Sequence, residues 1–145
     1  MYQKVVWATD GSAAADDALV HARALAHESG GELLAIHCDE YTLPGKGGGS
    51  YSMSANEKEL EAKIEHQVQE LSGDGITASF RCVRRPAGGA AHAIADYAQA
   101  EHADLIVAGT RGHTPLVGLV LGSVTNRLLH IAPCPVLAVR PAEGH

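Results

Sequence analysis

The chain has 145 residues, enough for one domain with a real core, and its 46% hydrophobic and 19% charged content is that of a globular protein rather than a disordered one. A formal net charge of -6, with His neutral, repels phosphate backbones and argues against general nucleic-acid binding. No apolar run approaches membrane-spanning length, and MYQKVVWATD leads straight into a strand pattern without signal-peptide anatomy, so the expected location is cytoplasmic.

Residues 5–8 (VVWA) form a short, wholly apolar run, the mark of a strand covered on both faces. Asp10-Gly11-Ser12 breaks it, and Ala15, Ala18, Leu19, Ala22, Leu25 and Ala26 then recur at helical spacing. Ser12 suits the N-cap, Asp16 and Asp17 suit the positive end of the helix dipole, and Gly30-Gly31 ends the helix. Residues 33–36 (LLAI) give a second buried strand. Residues 39–53 read as a loop holding the tract PGKGGGS. Ser54 and Glu57 have capping-box spacing, Leu60, Ile64, Val68 and Leu71 line one helix face, and Gly73 stops the helix. In the third strand Ile76, Ala78, Phe80 and Cys82 alternate with Thr77, Ser79 and Arg81, the period of a half-wet sheet edge. After Pro86 and Gly88-Gly89 comes an alanine-rich helix through Ile94 and Ala98. Residues 105–108 (LIVA) are the fourth strand, and Val124, Leu128 and Ile131 mark the last helix. Pro133-Cys134-Pro135 forces an extended lead-in to the last strand, residues 136–139 (VLAV).

Strands that alternate with helices imply a parallel sheet with right-handed crossovers, here an α/β doubly wound domain of five strands and four helices. Cys38, Cys82 and Cys134 lie far apart without C-x-x-C spacing, so they read as small buried hydrophobes rather than as a metal or disulfide framework. Most of the nine histidines fall on expected helices, where solvated positions are the default.

Ligands of such sheets sit at the carboxyl ends of the strands, where the strand order reverses. In order 3-2-1-4-5 that point lies between strand one, ending ATDGS, and strand four, ending AGTRG. The stretch GTRGHTPLVGLVLGSVT follows strand four. Gly109 and Gly112 allow close approach to the backbone, and Gly122-Ser123 opens the last helix, whose first N–H groups offer an anion site. Ser123 and Thr125 add hydroxyls. The glycines alone leave a phosphate grip and a plain turn both open. A P-loop and a dinucleotide fingerprint are both missing: Gly47, not Ser or Thr, follows Lys46, and TDGSAAA, not G-x-G-x-x-G, follows strand one.

These residues resemble a known family. GTRGHTPLVGLVLGS matches G-x2-G-x9-G-[ST], the nucleotide-binding signature of ATP-binding universal stress proteins, at Gly109, Gly112, Gly122 and Ser123. VVWATDGS, ADLIVAGTRG and APCPVLAVRP agree as well, so the resemblance spans residues 1–145 as one nucleotide-binding domain. It implies the 3-2-1-4-5 sheet, ATP at the switch point and often a homodimer. By position it implies that Ala8, Thr9 and Asp10 contact ribose, adenine or a phosphate-bound Mg²⁺. Gly109 and Gly112 become the ribose-side turn, and Gly122, Ser123, Val124 and Thr125 the phosphate cradle, with Arg111 and His113 as phosphate neighbours. His37 departs from the family, which commonly has Val beside the adenine. For Asp10 the DGS turn and N-cap reading stands beside the site reading.

The implied function is an ATP-binding stress-response module acting as a sensor or switch, with no evident catalytic residues. Three other readings remain: a dimeric scaffold without nucleotide, a slow ATPase, and an AMP or cyclic AMP binder. The apolar last strand is an edge in this order and invites pairing with a second copy through residues 136–139. The loop at 39–53 is expected to act as a lid over the adenine side.

Overall fold

The computed structural model describes residues 1–41, 55–110 and 121–141. The elements run β1 (Lys4–Ala8), α1 (Ala13–Ser29), β2 (Glu32–Tyr41), α2 (Ala55–Gly73), β3 (Thr77–Pro86), α3 (Ala90–Ala100), β4 (Leu105–Gly109), α4 (Ser123–Ile131) and β5 (Val136–Val139). They form one five-stranded sheet of order β3-β2-β1-β4-β5, and every adjacent pair is parallel. The expected α/β doubly wound architecture is therefore the observed one.

The apolar runs are explained by coverage on both faces. Odd-numbered Val5, Trp7, Leu33, Ala35, Leu105 and Val107 pack against Ala18, Ala22 and Ala26 of α1 and Ile64, Val68 and Leu71 of α2. Even-numbered Val6, Ala8, Leu34, Ile36, Ile106 and Ala108 pack against Ala91, Ile94, Ala95 and Ala98 of α3 and Leu128 of α4. Successive strand side chains point to opposite faces, so one run serves two cores. Alanines on α1 and α3 bring those helices close to the sheet, and the Trp7 indole N–H, buried beneath α1, donates to the Ala15 carbonyl at 3.0 Å. The caps follow their residues. Ser12 Oγ accepts from Ala15 N at 3.2 Å, and Gly30 closes α1 in the left-handed region at φ 63°.

Several expectations need correction. β2 continues through Asp39, Glu40 and Tyr41, so the loop expected from 39 begins no earlier than 42, and the lid segment lies outside the described residues. β3 runs on to Pro86, paired with β2 as far as Tyr41↔Pro86. That longer pairing comes from cross-strand neighbours, which hydropathy does not display. Pro86 is tolerated because β3 is an edge strand. Cys38, Cys82 and Cys134 are half-buried rather than core residues, since β3 and the flanks of β2 and β5 are only partly covered. His37 lies on β2 and is buried, unlike the solvated helix histidines.

Candidate functional site

The strand order reverses between β1 and β4, because β2 and β3 extend the sheet to one side and β4 and β5 to the other. Register pairs Val5↔Leu105 and Trp7↔Val107, which sets the ends of the two strands side by side. Thr9 N extends the β1–β2 ladder by donating to Ile36 O at 3.0 Å. The chain then turns sharply: Gly11 has φ 80°, its N–H donates to Thr9 Oγ1 at 3.0 Å, and Ser12 N donates to Asp10 Oδ1 at 3.0 Å. Asp10 is half-buried at the mouth of this turn. Its turn role is thus present in the geometry.

Across the switch point, β4 ends at Gly109, where a side chain would stand 3.0 Å from Ala14 O and 3.1 Å from Ala14 C. The missing Cβ lets the end of β4 lie against the start of α1. Thr110 N donates to Val139 O at 2.9 Å, and Gly122 N donates to Thr110 O at 2.6 Å. These bonds return the chain to the sheet edge just before α4. Gly122 is the N-cap of α4 and offers no side chain to cap the N–H groups of the first turn. Thr125 is buried and donates its hydroxyl to Gly109 O at 2.7 Å, tying the first turn of α4 to the end of β4. Ser123 is exposed and Val124 is half-buried against the second core.

The structure therefore gathers Ala8, Thr9, Asp10, Gly109, Gly122, Ser123, Val124 and Thr125 around the ends of β1 and β4. Arg111, Gly112 and His113 lie outside the described residues. His37 sits beside this group and is held at both ring nitrogens, Nδ1 at 2.9 Å from Thr9 O and Nε2 at 2.6 Å from Glu57 Oε1. A carbonyl only accepts, so Nδ1 carries a hydrogen toward Thr9, and one further proton lies between Nε2 and Oε1. The side chains of this pair are 5% and 10% exposed.

Sequence reasoning missed the part α2 plays. Leu60 packs where a side chain on Gly11 would stand. Lys63 Nζ donates to Gly11 O and to Asp16 Oδ2, both at 2.9 Å, and Gln67 Nε2 donates to Asp16 Oδ1 at 2.9 Å. The turn after β1 is thereby clamped by the helix that follows β2. A partial signal was present: Glu57, Leu60, Ile64 and Gln67 recur at helical spacing, but Glu57 reads as a capping residue and Gln67 carries no signal of its own. Ser54, the other half of the expected capping box, lies outside the described residues, and Glu57 turns toward His37.

A second group was also missed. Glu57, Glu61 and Cys82 each present a ligand-type atom, all within 4.8 Å of one another. Glu61 Oε2 is closed off from solvent and receives no hydrogen bond, although Arg84 Nη2 approaches to the ion-pair distance of 3.5 Å. Burial, and next the charge of Glu61, push the Cys82 thiol up to about 12. Burial and then Glu40 push Cys38 up to about 11.

The family model described as "Universal stress protein family" matches residues 1–140. A Thermus aquaticus protein, "Universal stress protein in QAH/OAS sulfhydrylase 3'region", is 36% identical over 97% of this chain and 100% of its own. Two solved structures share the fold. A universal stress protein in complex with cAMP is 24% identical with TM-score 0.67, over 97% of this chain and 98% of its own. One from Archaeoglobus fulgidus in complex with dAMP is 22% identical with TM-score 0.65, over 95% of this chain and 97% of its own.

Proposed function

The chain belongs to the universal stress protein family, and from that premise we propose that it is an adenine-nucleotide-binding regulatory module whose ligand lies across the ends of β1 and β4. The observation that carries this reading is the bond from Thr125 in the first turn of α4 to Gly109 O, which ties the start of α4 to the end of β4, the strand paired with β1 at the point where the strand order reverses. Free helix N–H groups and the helix dipole favour phosphate there, and open parallel sheets bind ligands at this position. The cAMP and dAMP complexes of related folds support a nucleotide of this class.

The residues present fit such a ligand. Gly109 lets the end of β4 lie against the start of α1, Ser123 stands exposed at the first turn of α4, and Asp10 supplies a carboxylate at the turn mouth. Ser123, with the α4 backbone, would hold phosphate, while Thr9 and Asp10, with His37 of β2 behind Thr9, would face ribose and base. A Mg²⁺ carried by ATP would neutralise phosphate charge, and Asp10 is the residue suited to it. The module acts as a sensor or switch in the cell's stress response, with ATP as the expected nucleotide and any hydrolysis slow.

Isothermal titration with ATP, with and without Mg²⁺, and with AMP and cyclic AMP, tests the reading. Saturable ATP binding that is lost in Gly122→Ala or Ser123→Ala upholds it. Silence toward every nucleotide overturns it.

A homodimer through β5 is a second proposal. Among the described residues β5 is a sheet edge, with Leu137 on it 37% exposed, and an edge strand invites pairing with a second copy.

A further inference from the structure

We propose that Glu57, Glu61 and Cys82 form a binding site for a divalent transition-metal ion of the zinc class, on the α2–β3 side of the sheet. The fold builds this group from two elements. Glu57 and Glu61 stand four residues apart on α2 and so share a helix face. Cys82 lies on β3 opposite His37 of β2, and parallel register puts both on the sheet face that α2 covers. Their donor atoms fall within 4.8 Å of one another. A tetrahedral ion with ligand bonds near 2.0–2.3 Å holds its donors about 3.5 Å apart, so side-chain rotation of about an ångström closes the site.

The surroundings favour an ion. Glu61 Oε2 is shut off from solvent without a hydrogen bond, which is costly for a carboxylate oxygen. The Arg84 guanidinium at 3.5 Å is its nearby cation, and Arg84 has a second anionic neighbour, Asp39, at 3.7 Å from Nε, toward which it can turn. Glu57 is already oriented through its contact with His37 Nε2 at 2.6 Å. Metal-binding carboxylates are typically fixed by such outer partners.

The donor set selects the ion. A thiolate sulfur with two carboxylates suits Zn²⁺ and its close relatives, whereas Mg²⁺ and Ca²⁺ take oxygen ligands alone. Three protein donors leave the fourth tetrahedral position to water. As the metal–sulfur bond forms, the thiol proton passes to solvent.

The test is a Co²⁺ titration of the untagged, metal-stripped chain without nucleotide, read by the thiolate-to-cobalt charge-transfer band. The wild-type chain should develop the band to saturation at one ion per chain, Zn²⁺ should displace it, and excess Mg²⁺ should not. Cys82→Ser should abolish the band, and Glu61→Gln should weaken cobalt binding about 10-fold or more, while Cys38→Ser and Cys134→Ser retain it. Urea midpoints of the stripped variants, matching wild type, establish that they fold. Absence of the band in the wild-type chain overturns the proposal, as does its persistence in Cys82→Ser. The cobalt band reads the Cys82 thiolate without nucleotide present, so failure of this site and failure of the proposed nucleotide site are distinguishable.

Discussion

Replacing Glu57 with alanine leaves His37 Nε2 facing a space without a partner. The two side chains are 5% and 10% exposed and 2.6 Å apart, so solvent cannot take over the lost contact. Removing one member of a buried charged pair costs about 3–5 kcal/mol. His37 has a way to relieve part of this, because it can stay neutral while Nδ1 still donates to Thr9 O at 2.9 Å. The residual cost is then an unsatisfied ring nitrogen, about 1–3 kcal/mol, together with the lost side-chain packing. The expected destabilisation is about 2–3 kcal/mol, equivalent to a fall in Tm of roughly 5–10 °C for a chain of this size. Urea unfolding in the presence of a chelator measures it. The double variant His37→Val with Glu57→Ala should cost less than the sum of the two single variants, by a coupling of at least about 1 kcal/mol. A Glu57→Ala chain within about 0.5 kcal/mol of wild type, or strict additivity in the cycle, would refute the pairing as a stabilising contact.

Other expectations follow from single contacts. Asp10→Ala should lower nucleotide affinity in calorimetry while costing about 1 kcal/mol of stability, since Asp10 Oδ1 accepts from Ser12 N at 3.0 Å; unchanged affinity removes Asp10 from the site. Gly109→Ala should cost about 1–3 kcal/mol in nucleotide-free urea melts, because the new Cβ would meet Ala14 O at 3.0 Å; a neutral effect would show that β4 and α1 separate easily. The Cys82 thiol is raised in the folded chain from 9.0 to about 12, so the stability it contributes is full below pH 9 and lost as pH rises toward about 12. Cys82→Ser should therefore flatten that part of the alkaline stability profile, and an unchanged slope would count against the burial of this thiol. Leu137→Glu should shift the chain toward monomer in sedimentation, and an undiminished dimer would move the interface away from β5. Val139 is unsuited to that test, because it is 8% exposed within the core and a charge there would unfold the chain.

Local and periodic features were legible in the sequence. The runs VVWA, LLAI and LIVA could only be strands covered on both sides, and their alternation with helical spacing led to the parallel sheet and its switch point. Ser12 and Gly30 act through neighbours in the chain, so their capping roles were readable in advance. At Gly109 the sequence pointed to ligand approach, whereas the surface that the missing Cβ admits is Ala14 of α1. What depends on partners distant in sequence was not readable. β2 and β3 continue to Tyr41 and Pro86 because each supplies the other's hydrogen bonds, a property of the pair rather than of either segment. His37 meets Glu57 across 20 residues, Lys63 reaches Gly11 across 52, and Glu57, Glu61 and Cys82 converge only when α2 lies over β3. Hydropathy marks such polar residues for solvent. Tertiary packing buried His37 and Glu57, because once α2 covers the sheet each finds its partner in the protein, while Lys63 stays exposed and is held by contacts across the chain.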